Sequence, residues 1–250
     1  ASRYDESLSL IRGGQVGAAQ ALYEQLQRSN LPAIQRATLL AELPAYPSAQ
    51  ALRLVTKDLN NPAPHVRESA IRAVSALMPE AQRLALLSPR LDDPVRAVRI
   101  AAARALPGAA NGGLGASQPS WNTAIGEYEA VQLSLMERAE ANLNLAMLYQ
   151  ASGRNADVEP RLRAALQRDP DFFPALVTLV EWLESNARGK EARQLLDDGL
   201  REHPDVALLH QAQGLAMIRA GQRVQAIPAL RRAARLEPQN AQYGYVLAVA

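Results

Sequence analysis

Three prolines, Pro170, Pro204 and Pro238, fall 34 residues apart. A fixed period of that length marks a chain built from stacked helix–turn–helix units. One such unit cannot bury its apolar faces alone, so neighbours must stack to complete a core. The expected fold class is therefore all-α, an α–α superhelix or solenoid of helical hairpins. Hydrophobic residues make up 48% of the 250 but aromatics only 4%, so the core must be Leu, Ala and Val. Ala has the best intrinsic helix propensity, and the Val, Ile, Thr and aromatic runs that mark strands are missing.

The 34-residue frame gives three full units, 139–172, 173–206 and 207–240, with a partial one over 241–250. Ala124, Tyr128 and Val131 sit in the same frame as Ala226, Leu230 and Ala233, which makes 121–136 a half unit. Within the units small residues recur: Ala146 and Gly214, Ala192 and Ala226, Ala165 and Ala233, with turn glycines at Gly153 and Gly221. Leu145, Leu162, Leu179, Leu196 and Leu230 fill the larger slots. These positions resemble the tetratricopeptide repeat, in which small residues let the two helices of a hairpin approach. Two residues depart from the pattern. Val180 stands where the middle unit should be small, and Val158 replaces Ala in the first. Extra bulk there should widen the packing at a cost of about 1–3 kcal/mol if uncompensated.

The first half carries another repeat. LNNPAPHVRESAIRAV (59–74) aligns with LDDPVRAVRIAAARAL (91–106) at an offset of 32 residues. Leu59, Pro62, Val66, Arg67, Ala70 and Arg72 match Leu91, Pro94, Val98, Arg99, Ala102 and Arg104. A weaker copy another 32 residues upstream puts Ile34 at the Val66 position and Ala41 at the Ala73 position. Asn61 or Asp93 can accept from the free N–H groups of the next helix, and Pro suits its first turn. Helices are expected over 47–58 and 79–91 as second members of these hairpins. The signature resembles the short bacterial HEAT-like repeat. Residues 5–28 read as one further hairpin, broken at Gly13 and Gly14, whose Ala19, Tyr23 and Leu26 resemble the later array. Gly, Ala, Ser and Asn dominate residues 108–120, with no periodicity. The expected layout is thus 1–109, a linker at 110–120 that either separates two domains or spans a step in one continuous superhelix, and a tetratricopeptide domain at 121–250.

The tetratricopeptide resemblance implies a concave groove lined by the first helix of each unit. Carried over position by position, the groove residues are Leu143, Asn144, Met147 and Gln150 in the first unit. The second unit gives Val177, Thr178, Glu181 and Glu184, and the third Gln211, Leu215, Ile218 and Arg219. That mixture suits a helix or extended segment of a protein partner. The alternative occupant is another helix of the same, longer polypeptide. The clamp for a C-terminal carboxylate found in the chaperone-binding subset is absent, because Leu143 and Met147 hold its first-unit positions.

Other chemistries find little support. There are no cysteines, which removes disulfides, thiol catalysis and Cys-based metal sites. Net charge is +2, and no dense basic face marks a nucleic-acid footprint. No apolar run approaches the ~18–20 residues of a membrane span. His65, His203 and His210 are the only histidines and read as solvated or core-edge residues rather than metal ligands. Asp92–Asp93 and Asp197–Asp198 read as capping and solvated-face acids rather than a general acid–base pair. Arg231, Arg232 and Arg235 complement a helix C-terminus. Trp121 and Trp182 read as packing anchors, and Phe172 and Phe173 as a staple between two units. GGQVGAAQ follows a helix and lacks the Lys-Ser/Thr of a phosphate loop. No catalytic residue, metal or cofactor site is expected.

The order of the parts carries a second resemblance, over roughly residues 31–250, to the C-terminal repeat region of a bacterial multihaem cytochrome c family. It implies an exported, periplasmic protein whose repeats dock partners near a redox module. This chain holds no haem-binding motif, so any haem would lie elsewhere in a longer parent. The terminal YGYVLAVA, an apolar run without a helix stop, fits the same expectation. Three functional expectations result: a non-catalytic protein-interaction scaffold, an accessory docking region of an electron-transfer protein, and a HEAT-type protein acting on nucleic acid.

Overall fold

The structure, a computed structural model, describes residues 3–106 and 113–250. It contains helices and no strand among those residues, as an all-α solenoid requires. The chain forms two compact units, Ala1–Val131 and Gln132–Ala250.

The first unit runs α1 (Arg3–Arg12), α2 (Ala18–Gln27), α3 (Ala33–Glu42), α4 (Ala49–Asp58), α5 (Pro64–Leu77), α6 (Glu80–Leu87), α7 (Arg96–Arg104) and α8 (Gln118–Leu133). Gly13 and Gly14 end α1, and Gly14 turns the chain at φ 59°, where a side chain would be strained. Ser48 opens α4 by accepting from the Ala51 N–H at 3.0 Å. The Asn61 and Asp93 side chains accept from the N–H groups of Ala63 and Val95 at 3.0 Å each. The helices then start at Pro64 and Arg96. Pro62 and Pro94 therefore lie in the preceding turn, not in the first helical turn. The helix expected over 79–91 is α6 followed by a 3-10 turn at Ser88–Asp92.

Three arginines stitch this unit together. Each guanidinium donates back to the turn before its own helix and forward to an acid further along the chain, at the end of α4, in the turn before α7 and on α8. Arg36 reaches the Arg28 carbonyl (3.3 Å) and both carboxylate oxygens of Asp58 (2.7 and 2.9 Å). Arg67 reaches the carbonyls of Asn61 and Pro62 (2.9 and 3.1 Å) and grips Asp93 through two bonds of 2.8 Å. Arg99 reaches the carbonyls of Asp93 and Pro94 (2.8 and 3.2 Å) and the carboxylate of Glu127. Arg36, Asp58, Arg67 and Asp93 are buried.

This series corrects the register of the weakest copy. Arg36 plays the part of Arg67, so that copy lies 31 residues upstream, not 32. Ile34 and Ala41 are exposed, whereas Val66 and Ala73 are buried. The residues that do the work of Ala70, Ile71 and Val74 are Leu39, Leu40 and Leu43, all buried. Asp93 is more than a cap: it is also the acid of an inter-hairpin ion pair.

Of the linker expected at 110–120, residues 110–112 lie outside the described residues. Gly115–Ser117 form a 3-10 turn that leads directly into α8. The Trp121 indole N–H donates to the Ala103 and Leu106 carbonyls (3.0 and 3.1 Å) at the end of α7. Trp121 and Ala124 are buried in the same core as α7. The helix that the 34-residue frame groups with the second region thus packs with the first.

The second unit runs α9 (Ala139–Ala151), α10 (Asn155–Arg168), α11 (Phe173–Ser185), α12 (Gly189–Glu202), α13 (Ala207–Arg219), α14 (Arg223–Leu236) and α15 (Ala241–Val249). The pairs α9–α10, α11–α12 and α13–α14 are the three units of the 34-residue frame. Their internal turns are built alike. In each, two backbone N–H groups close the first helix: Gly153 and Arg154 onto Gln150 and Tyr149, Ala187 and Arg188 onto Glu184 and Leu183, Gly221 and Gln222 onto Ile218 and Met217. The first N–H of each pair belongs to a residue at φ 71°, 59° and 76°. Glycine supplies that conformation twice and Ala187 once. Phe172 packs on a cluster of Ala139, Ala165 and Ala175 drawn from the first two units, whereas Phe173 sets its ring edge-on to His203 of its own unit at 4.9 Å between centroids.

Candidate functional site

The three hairpins of the second unit differ at one position. In α13–α14 the small residue is Gly214, and a Cβ there would stand 2.5 Å from Leu230 Cδ2 and 2.6 Å from Leu230 Cγ. The helices therefore touch at the glycine, with Leu230 and Ala226 against it. In the middle hairpin the equivalent three residues are Val180, Leu196 and Ala192. All three line a cleft of ≈ 700 Å³ between α11, α12 and α13. At the other end of α12 Gly199 stays close to its neighbours, a Cβ there lying 3.2 Å from Leu176 and 3.5 Å from Leu209. Close approach at Gly199 and bulk at Val180 place the opening at the turn end of the hairpin.

The cleft floor is apolar: Val180, Ala192, Leu196, Ala216 and Met217. Its rim is charged, with Glu181 and Glu184 from α11, Arg193 and Asp197 from α12, and Arg219 from α13. Arg219 donates to one Glu184 oxygen through two bonds of 2.6 and 2.9 Å, joining two first helices. On the flank, Arg163 and Arg188 bind Glu159 and Glu191 across the joint of the first two repeats. The hydrogen bond from Arg188, and then that from Arg163, holds the Glu159 carboxyl below the usual carboxylate range.

The residues carried over to the groove occupy α9, α11 and α13. The cleft gathers Glu181, Glu184 and Arg219 of them. Met147 is 56% exposed on α9, and Asn144 donates to Gln132 at 3.0 Å. Gln150 is exposed, and Leu143, Val177, Thr178, Leu215 and Ile218 are half-buried. The Thr178 hydroxyl is turned back onto the Pro174 carbonyl at 2.7 Å. Gln211 is buried at 7% exposure and presents no surface, which removes it from the groove. What position-by-position transfer omits is the wall from α12, a second helix. Val180 at a small-residue slot is its signal in the sequence.

The remaining polar clusters take structural places. Arg232 pairs with Asp205 at 2.5 Å, Asp198 accepts from Gln194 and Arg201, and His203 lies 3.1 Å from Asp171. Among the described residues no group of three or more His, Asp or Glu is placed to hold a metal ion, and no helix is long and apolar enough to cross a membrane.

Stacked hairpins of two internal periods define an α-helical repeat protein. Residues 19–107 match the family of HEAT repeats and residues 149–216 the tetratricopeptide repeat, so the chain is a repeat protein of combined HEAT-like and tetratricopeptide type. A tetratricopeptide repeat protein from Parabacteroides merdae ATCC 43184 has a similar structure. It superposes with a TM-score of 0.60 at 13% identity, over 99% of this chain and 98% of that one, a likeness of fold. A structure of MamA protein aligns with 65% of this chain and 96% of its own at 18% identity and a TM-score of 0.39. No curated protein matches the sequence.

Proposed function

We propose that residues 139–240 are a non-catalytic docking scaffold that holds a polypeptide segment of a partner along α9, α11 and α13. The observation that carries this reading is the cleft between α11, α12 and α13: buried Val180, Ala192 and Leu196 close its bottom, half-buried Ala216 and Met217 line its wall, and charged groups frame it. An apolar recess with a few placed polar groups is the general form of a binding site. Apolar exposure continues to Met147 on α9.

The test uses the whole chain and a displayed library of random peptides. Peptides enriched on the wild-type chain should lose affinity at least about tenfold when Met147, Glu181 and Leu215 are replaced together by Ala, with the helical circular dichroism unchanged. Undiminished capture by that variant would move the docking surface elsewhere.

A further inference from the structure

The cleft lies against the hairpin in which the small-residue slot is filled by Val180. Gly214 lets Leu230 rest on the helix backbone of α13, and Ala146 is the counterpart in the first hairpin. Val180 replaces them in the middle and lines the opening together with Leu196 and Ala192. The wall therefore takes residues of α12 as well as of the first helices α11 and α13.

The charges of the rim select among occupants. Glu184 and Arg219 satisfy one another. Glu181, Asp197 and Arg193 have no hydrogen bond or ion pair among the described residues, and together they leave the rim negative. Glu181 stands on α11 and Asp197 on α12, on two walls of the same opening. A bound segment that fills the floor with an apolar side chain brings its adjacent residues to these carboxylates. A cation there is attracted, and an anion is repelled by two carboxylates at close range.

We infer that the Val180 cleft is the specificity pocket of the docking scaffold, taking an aliphatic side chain, Leu or Met, from a partner segment that carries Lys or Arg beside it. The inference rests on the docking reading above. It goes further by fixing the chemistry of the occupant and the residue that creates its pocket.

The experiment takes the peptides enriched on the wild-type chain. They should share Leu or Met with Lys or Arg within one helical turn. Exchanging that basic residue for Glu should weaken binding about tenfold, and Glu181→Lys in the protein should reverse the preference. Val180→Ala, which restores the small residue of the first hairpin, and Ala216→Phe, which fills the cleft from its α13 side, should each weaken capture about tenfold. Circular dichroism of both variants should remain that of the wild type. Enriched peptides without the aliphatic–basic pairing overturn the inference. So does wild-type affinity in both Val180→Ala and Ala216→Phe. If capture is lost on substituting Met147 and Leu215 but ignores those two variants, docking stands and the cleft is not its pocket. If the chain captures no peptide, the docking reading fails, and this one with it.

Discussion

The two units solve one problem with opposite means. Both stack helical hairpins, and both must fix how each helix sits on its neighbours. The first unit does it with charge taken out of water: Arg36–Asp58 and Arg67–Asp93 are buried, and each arginine also satisfies carbonyls of its own turn. The second does it with size, small residue against leucine, and leaves its ion pairs on the surface. Buried pairs tolerate no missing partner, whereas size matching tolerates partial misfit by opening space. Hence the first unit holds its joints by hydrogen-bonded pairs, while the second holds the cleft.

The largest effect should come from breaking a buried pair. Asp93→Ala leaves the Arg67 guanidinium without its acid and the Val95 N–H without its acceptor. A loss of about 3–5 kcal/mol in the first unit is expected. Urea unfolding followed by Trp121 fluorescence in a Trp182→Phe background measures it. A change below 1 kcal/mol, in order of magnitude, would mean the joint is held by packing instead. The same carboxyl gives a pH signature. Burial alone would raise its pKa, but the Arg67 hydrogen bond, the Val95 N–H and the charges of Arg67 and Arg90 outweigh burial and hold it below the usual range. A depressed carboxyl contributes stability above its unfolded pKa, about 3.9, and loses it as pH falls through the folded value. The first unit should therefore weaken below about pH 4, and Asp93→Asn should flatten that slope.

Next comes a break in size matching. Gly214→Ala places a methyl group 2.5 Å from Leu230 Cδ2, and Leu230 is buried. Overpacking should cost the second unit about 1–3 kcal/mol. Trp182 fluorescence in a Trp121→Phe background reports it, and an unchanged midpoint would show that this joint yields as freely as the middle one.

Much of this was legible in the residues. The 34- and 32-residue periods fix the hairpins, because each period sets where prolines, glycines and small residues must fall. Val180 stood out at a small-residue slot, and it lines the cleft. The ion pairs were not legible as pairs, since Arg67 and Asp93 are 26 residues apart and their local readings, helix face and cap, are complete in themselves. The register of the weakest copy misled because Ile34 and Ala41 look like core residues, while the buried Arg36 that sets the true frame looks like surface. Gln211 was misplaced because transferring a position does not transfer the rotation of its helix.

A smaller effect, of opposite sign, should come from the turn of the middle hairpin. Ala187 sits at φ 59° in a turn where its counterparts are Gly153 and Gly221. An L-residue pays roughly 1 kcal/mol for that conformation. Ala187→Gly should therefore stabilise the second unit by up to about 1 kcal/mol, reduced by the greater freedom of glycine in the unfolded chain. Thermal unfolding of the second unit checks the sign, and a loss would mean that the Ala187 side chain makes a contact worth more than the strain.

The smallest effect should come from the surface network. Glu159→Gln removes one acceptor of Arg163 and Arg188. All four members of that network keep water contact, so Coulomb attraction is screened and the long side chains retain other partners. The expected loss is less than that of Gly214→Ala and fades as salt is raised to about 1 M, where the screening length is about 3 Å. The deficit of Asp93→Ala should persist at the same salt, because ions do not enter the buried pair. Equal salt sensitivity of the two variants would erase the distinction between a unit joined by buried charge and one joined by shape.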